Sequence, residues 1–192
     1  MSATRKVLFV NACVRSDSRT RQLAQYYLGH VQGEIEEINL ERENIQPLTS
    51  LTLAQRDQNI ALNTTEEYIY ARKFAQADEI VLAAPYWDYS YPASVKAFIE
   101  AVNCYGITFR YENDRAVGLC RAEKLVYIQT AGGLIGRFNF GFEHVKALCQ
   151  TFYGINDVVE FRAEGLDLEG SSSTVLLEET KRVIERYFRE EE

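Results

Sequence analysis

The sequence predicts an α/β fold in which a mostly parallel, five-stranded sheet carries helices on both faces. Short apolar runs of strand length alternate with segments of helical periodicity along the whole chain. That alternation marks successive β-α-β units, whose crossovers are right-handed. The run Ile80-Val81-Leu82-Ala83-Ala84 is apolar without alternation, as a strand covered on both faces must be, and it is predicted to be the central one. It stops at Pro85, which cannot donate to a ladder, and Tyr86, Trp87, Tyr89 and Tyr91 follow at once. Aromatics crowded at the carboxyl end of a central strand are costly to expose, and open α/β sheets bind ligands in that crevice.

Taken in order, Lys6 to Val10 reads as a first strand and Asn11 to Asp17 as a polar loop. Ser18 is a good helix N-cap, with Leu23, Tyr26, Tyr27 and Val31 as the apolar face. Glu34 to Leu40 alternates like an edge strand. A long connection, residues 41–62, contains Pro47 and a short helix near Leu51 to Ile60. Thr64 or Thr65 is expected to cap a helix running through Ala77, with Tyr68, Ile69 and Phe74 along it. After the central strand, Pro92 opens a helix that ends near Cys104-Tyr105-Gly106, with Gly106 as its C′ residue. Thr108 to Tyr111 and the following ENDRAVG read as a small hairpin set off from the main sheet. Lys124 to Gln129 is the next strand and ends at Thr130-Ala131-Gly132-Gly133. A helix over Phe138 to Tyr153 and a strand over Ile155 to Ala163 follow. Ser171 to Ser173 cap a last helix, with Val175, Leu176, Val183, Ile184, Tyr187 and Phe188 expected inward.

The 192 residues suit one domain with a full core, 1–192. The net charge of −7 and the lack of any basic stripe argue against nucleic acid or an anionic membrane as partner. No segment reads as a signal peptide or a membrane span. Cys13, Cys104, Cys120 and Cys149 are scattered without a C-x-x-C pair, which favours reduced thiols and a cytoplasmic setting. His30 and His144 are the only histidines, so no polyhistidine metal site is expected.

Five such units in this length fit a flavodoxin-like sheet of order 2-1-3-4-5, whose switch point lies between the first and third strands. That order brings together Asn11–Thr20, Pro85–Pro92 and Thr130–Gly136. The first of these loops combines Ser16, Ser18 and Thr20 with Arg15, Arg19 and Arg21 at a helix start. Free N–H groups and the positive end of the helix dipole favour a phosphate there. The loop has no Gly-Lys-Ser/Thr and no glycine, so it is neither a Walker loop nor a dinucleotide fingerprint. Paired glycines at 132–133 leave room for close approach of a ligand. A phosphate seat, an aromatic wall and a donor-rich glycine loop at one switch point describe an FMN site. The isoalloxazine would lie between the second and third loops, with amides near Trp87-Asp88 toward N5 and amides of Ala131 to Gly133 toward N1–O2.

The segments KVLFVNACVR…SRTRQLA, AAPYWDYSYPASVKAFIEAV, GITFRY and TAGG resemble the flavodoxin-like NAD(P)H oxidoreductases, the group of FMN-dependent azoreductases and NAD(P)H–quinone reductases. The most specific match is Pro85–Arg110, close to the azoreductase branch. The resemblance implies FMN as cofactor, NAD(P)H as co-substrate, a small quinone, azo or nitroaromatic acceptor, a ping-pong route and a homodimer. By motif it puts phosphate contacts on Ser18 and Thr20 with Cys13, Arg15 and Arg19 nearby. Ring contacts fall on Pro85, Tyr86, Trp87, Asp88 and Tyr89, and glycine-loop contacts on Thr130, Ala131, Gly132 and Gly133. Azoreductases usually carry Asn where this chain has Asp88. No residue need act as a general acid; His144 is a candidate to bond a quinone oxygen or a flavin edge, and Phe138, Phe140 and Phe142 to form an apolar lid.

Two other readings share parts of this pattern. Cys13 to Arg19 spells C-x5-R after the first strand, as in low-molecular-weight tyrosine phosphatases, where a thiolate at a helix start is the nucleophile. The loop lacks their glycine and asparagine, and no Asp-Pro supplies a general acid. A flavodoxin-like electron carrier would share the FMN site but turn over no NAD(P)H by itself.

Overall fold

The protein is described by a computed structural model covering residues 4–62 and 68–191. Strands β1 (Lys6–Asn11), β2 (Glu34–Asn39), β3 (Glu79–Ala83), β6 (Lys124–Thr130) and β7 (Asp157–Ala163) form one sheet of order β2-β1-β3-β6-β7. Every neighbouring pair in it is parallel. Strands β4 (Phe109–Glu112) and β5 (Arg115–Gly118) form a separate antiparallel hairpin. With the hairpin set aside, this is the predicted 2-1-3-4-5 order.

All five residues of β3 are buried, and alternate side chains of the inner strands feed two cores. Leu8, Val10, Ile80, Leu82, Leu125 and Tyr127 pack beneath α4 (Ile69–Gln76), α5 (Ala93–Val102) and α6 (Phe140–Leu148) through Phe74, Phe98 and Val145. Val7, Phe9, Val81, Val126 and Ile128 pack beneath α1 (Arg19–Leu28) and α7 (Ser173–Glu191) through Leu23, Tyr27 and Ile184. Each fully buried Leu, Ile or Val contributes about 1.5–3 kcal/mol, so apolar runs free of alternation are what a two-faced sheet requires. Strand β2 stands at the edge, with Ile38 buried and Ile35 exposed, and its three glutamates discourage a further strand from pairing there.

Several boundaries differ from those predicted. Leu40 leaves the strand and starts a short helix, α2 (Leu40–Glu43), because the Asn39 side chain accepts from the Glu41 and Arg42 amides. The predicted helix near Leu51 is α3 (Ser50–Ala61), closed at its start by a Thr49–Thr52 capping box. The cap proposed at Thr64 or Thr65 lies outside the described residues, and α4 begins at Ile69 without a side-chain cap. Pro92 is the N-cap of α5 and precedes its first helical residue. That helix closes at Asn103, so Gly106 is not its C′ residue; Gly106 (φ +80°) sits in the turn leading to β4, where its N–H donates to Phe109 O. Helix α6 begins after Asn139, whose side chain is drawn into a buried cluster with Gln129 and Glu160, and it runs on as a π-helical turn, Cys149–Tyr153. On α7, Leu176, Ile184, Tyr187 and Phe188 pack inward as expected, whereas Val175 and Val183 are half exposed. Leu177 and Thr180 complete the inward stripe, which follows the four-residue row 176, 180, 184, 188 and leaves those valines at its margin. Val31 packs against the same core from just beyond the end of α1.

At Gly118 the hairpin meets the π-helical turn so closely that an added Cβ would lie 2.2 Å from Gly154 N and from Tyr153 C. Those neighbours are backbone and cannot swing aside. Gly118→Ala should therefore destabilise the protein by about 1–3 kcal/mol, the usual cost of overpacking. Thermal denaturation would check this beside Gly133→Ala, where a Cβ meets nothing within 4 Å.

Candidate active site at the sheet switch point

The strands on either side of the switch point end at one level, and ladder bonds carry their register into the loops. Ala12 N donates to Ala83 O (2.9 Å), Ala84 N to Ile128 O (3.0 Å), Tyr86 N to Thr130 O (3.0 Å) and Ala131 N to Ala163 O (2.9 Å). The three separated segments thereby enclose one cavity of about 440 Å³, lined among others by Arg15, Ser18, Thr20, Trp87, Thr130 and Gly132. That volume is within the range of small-molecule and cofactor sites.

Helix α1 opens directly into this cavity. Ser18 Oγ accepts from Arg21 N (3.2 Å) as the predicted N-cap. Among the described residues the Arg19 and Thr20 amides have no acceptor, and both residues line the cavity. The buried Thr20 Oγ1 shares a 2.7 Å hydrogen bond with Thr130 Oγ1, which joins α1 to the end of β6. The arginines are not equivalent. Arg21 folds back to donate to the Arg15 and Ser16 carbonyls (2.6 Å each). Arg19 grips Asp167 with both terminal nitrogens, 2.8 and 3.0 Å. The arginine holds the Asp167 carboxyl below the usual carboxylate range. Asp167 was not anticipated from the sequence. It sits beyond β7, and only the parallel extension of β7 along the glycine loop brings it to the cavity.

The aromatic wall depends on a tight turn. Trp87 and Ser90 exchange both backbone hydrogen bonds, 3.0 and 2.7 Å, while Asp88 (φ 52°) and Tyr89 (φ 65°) between them are both left-handed. This is the mirror-image turn that suits hairpins. Asp and Asn share a tolerance for that conformation, so either residue can fill position 88. Tyr89 has no such tolerance; it projects 59% exposed, edge-on to Phe138.

The predicted residues separate into two groups. Arg15, Ser18, Arg19, Thr20, Pro85, Tyr86, Trp87, Thr130 and Gly132 line the cavity. Cys13, Asp88, Tyr89, Ala131 and Gly133 do not. Ala131 is buried and its N–H is taken by Ala163 O, and the Trp87 N–H is taken by Ser90 O, so neither amide can serve as the donor first expected there. His144 lies behind the wall, with Nδ1 2.6 Å from the Tyr91 hydroxyl, and burial pushes its pKa down. Phe142 is buried in the core, leaving Phe138 and Phe140 exposed near the mouth. Among the described residues no group of His, Cys, Asp or Glu could hold a metal, and no helix is long and apolar enough to cross a membrane.

Cys13 is buried, with Sγ 3.8 Å from Ala83 O. Burial pushes its thiol up, outweighing the hydroxyl of Ser18 and the charge of Arg21, which pull it down. A phosphatase nucleophile needs the opposite shift and an open face.

The fold and the cavity at its switch point define a flavodoxin-like protein with a pocket of cofactor size. The family profile described as "Flavodoxin-like fold" matches residues 5–188, and the chain belongs to that family. A Clostridium beijerinckii protein named FMN-dependent NADH:quinone oxidoreductase is 30% identical over 187 residues, covering 91% of this chain and 93% of its own. A Coprothermobacter proteolyticus protein of the same name is 33% identical over 181 residues, 86% and 89% of the two chains. A Bacillus anthracis FMN-dependent NADH-azoreductase, solved in complex with FMN, superposes with a TM-score of 0.81 over 97% of this chain and 98% of its own, at 20% identity. These findings bear out the resemblance drawn from the sequence.

Three measurements test this geometry. Replacing Tyr89 by Gly should stabilise the protein by about 1 kcal/mol, because it removes a bulky side chain from a left-handed position; a fall in Tm would show that the contact with Phe138 outweighs the strain. Iodoacetamide at pH 7, with peptide mapping, should leave Cys13 unmodified in the folded protein, and p-nitrophenyl phosphate should not be hydrolysed.

Proposed function

We propose that the chain is an FMN-dependent NAD(P)H oxidoreductase that reduces quinones or comparable flat acceptors by a ping-pong route. The observation that carries this reading is the single cavity shared by Thr20, Trp87 and Gly132. Its donor set fits the cofactor: two unpartnered amides and a basic rim at a helix start suit a phosphate, and the aromatic residues at the end of β3 suit a flat ring. The names of the relatives point the same way. FMN, when bound, would supply the hydride-transfer chemistry between NAD(P)H and the acceptor.

The chain's own residues bind and orient. Ser18 sets the helix start, and the Arg19 and Thr20 amides with Arg15 receive the phosphate. Trp87 and Pro85 form one wall of the ring slot, and Gly132, lacking a side chain, leaves room at the opposite edge for the Asp167 carboxylate, which lies against it. Of the loop residues expected to donate to the ring, Gly132 lines the cavity, and its amide, which makes no hydrogen bond among the described residues, is the donor available there. Trp87, Tyr89, Phe138 and Phe140 expose apolar surface around the mouth, which supports closure of the slot by a second subunit in a homodimer. Four free thiols, three of them buried, fit a reducing cytoplasmic setting.

Purified protein reconstituted with FMN should be yellow and should bleach with NADH or NADPH under anaerobic conditions. Colour that persists with both nicotinamides would favour the electron carrier. Trp87→Ala should weaken FMN binding about tenfold, matching about 1.4 kcal/mol of lost ring contact, as read by quenching of flavin fluorescence; unchanged affinity would remove the wall from the proposal. Sedimentation velocity should show a dimer.

A further inference from the structure

The loop after β7 places a carboxylate where an incoming anion would bind. Gly165 N donates to Gly133 O (2.9 Å), Leu166 N to Ala131 O (3.2 Å) and Asp167 N to Gly132 O (2.9 Å). These bonds lay the loop along the glycine segment and fix Asp167 over Gly132, whose added Cβ would fall 2.3 Å from Asp167 Oδ2. From there both Asp167 oxygens reach across the cavity rim to the guanidinium of Arg19, the first residue of α1. A planar two-pronged contact of this kind is also how a guanidinium holds a phosphate. Asp167 therefore occupies the donor edge that a phosphate would use. With Arg21 turned onto the loop carbonyls, Arg15 is the seat arginine whose guanidinium makes no ion pair or hydrogen bond among the described residues.

We propose that Asp167 is a specificity-determining residue of the flavin site: a resident anion on Arg19 that is exchanged for the phosphate of the incoming flavin. This rests on the FMN reading above. The exchange replaces one charge-assisted pair with another, so in the native protein Arg19 adds little net affinity for the phosphate. The neutral ribityl end of riboflavin offers Arg19 no charge, and its binding leaves the Arg19–Asp167 pair closed. Removing the charge of Asp167 while keeping its shape frees Arg19 for the phosphate.

The test compares FMN and riboflavin, titrated into apoprotein at pH 7.5 and followed by flavin fluorescence, for the wild type, Asp167→Asn, and Asp167→Asn combined with Arg19→Gln. Asp167→Asn should tighten FMN about tenfold, the scale of one hydrogen-bonded charge pair, and leave riboflavin within about twofold, since an uncharged end gains nothing from a freed guanidinium. The double variant should lose the gain, because the coupling runs through Arg19. FMN affinity that falls or stays level in Asp167→Asn, while the wild type binds FMN, would overturn the exchange and leave the FMN reading standing. So would a gain that survives removal of Arg19. A wild type that takes up neither flavin would instead overturn the FMN reading itself.

Discussion

The site depends on the parallel ladder at the carboxyl edge of the sheet, which continues past the ends of its strands. Ala12, Ala84, Tyr86 and Ala131 each donate to the neighbouring segment just where the strands become loops. Loops that would otherwise be mobile are held to one another by backbone groups that must find partners when buried. The bonds that set the strand register also set the distance between the start of α1, the aromatic turn and the glycine segment. A change in the pairing of β3 with β1 or β6 would separate residues that are far apart in sequence, and the cavity would not exist.

Around that frame the chain accepts local costs. Two consecutive left-handed residues, one of them a tyrosine, are held at Asp88 and Tyr89 by the paired bonds of Trp87 and Ser90. Such conformations cost about 1–3 kcal/mol each and persist where the surroundings over-determine them. The turn keeps Trp87 against the cavity and Tyr89 at its rim. Glu79 is a second cost, a carboxylate buried at the other end of the same strand. Arg5 Nη2 (2.6 Å) and the Tyr27 hydroxyl (2.8 Å) satisfy it, as a buried charge requires.

Electrostatically, the cavity is less basic than its loop composition implies. Arg21 braces the loop and Arg19 is matched by Asp167, so positive character at the helix start comes from backbone amides and Arg15. This distribution suits reversible binding of one phosphorylated ligand better than general attraction of polyanions, in keeping with a chain of net charge −7. The buried, raised thiol of Cys13 beneath the same seat acts as packing and separates this site from the phosphatases that share its cysteine–arginine spacing.

The alternation of strand and helix patterns determined the fold class, because burial on two faces leaves an uninterrupted apolar run in any strand that experiences it, and the number of β-α units in this length pointed to the strand order. Local chemistry was legible at Ser18, where capping is decided within three residues, and at Pro85, which ends a strand by itself. The tertiary structure decided whatever depends on a partner distant in the chain. Asp167 reaches the cavity only because β7 extends along β6, and Ala131 loses its amide to the same extension. His144 turns to Tyr91, and Val175 and Val183 fall outside the contact made by α7. In each case the deciding neighbour lies in another element, and the intrinsic preferences of the residue carry no record of it.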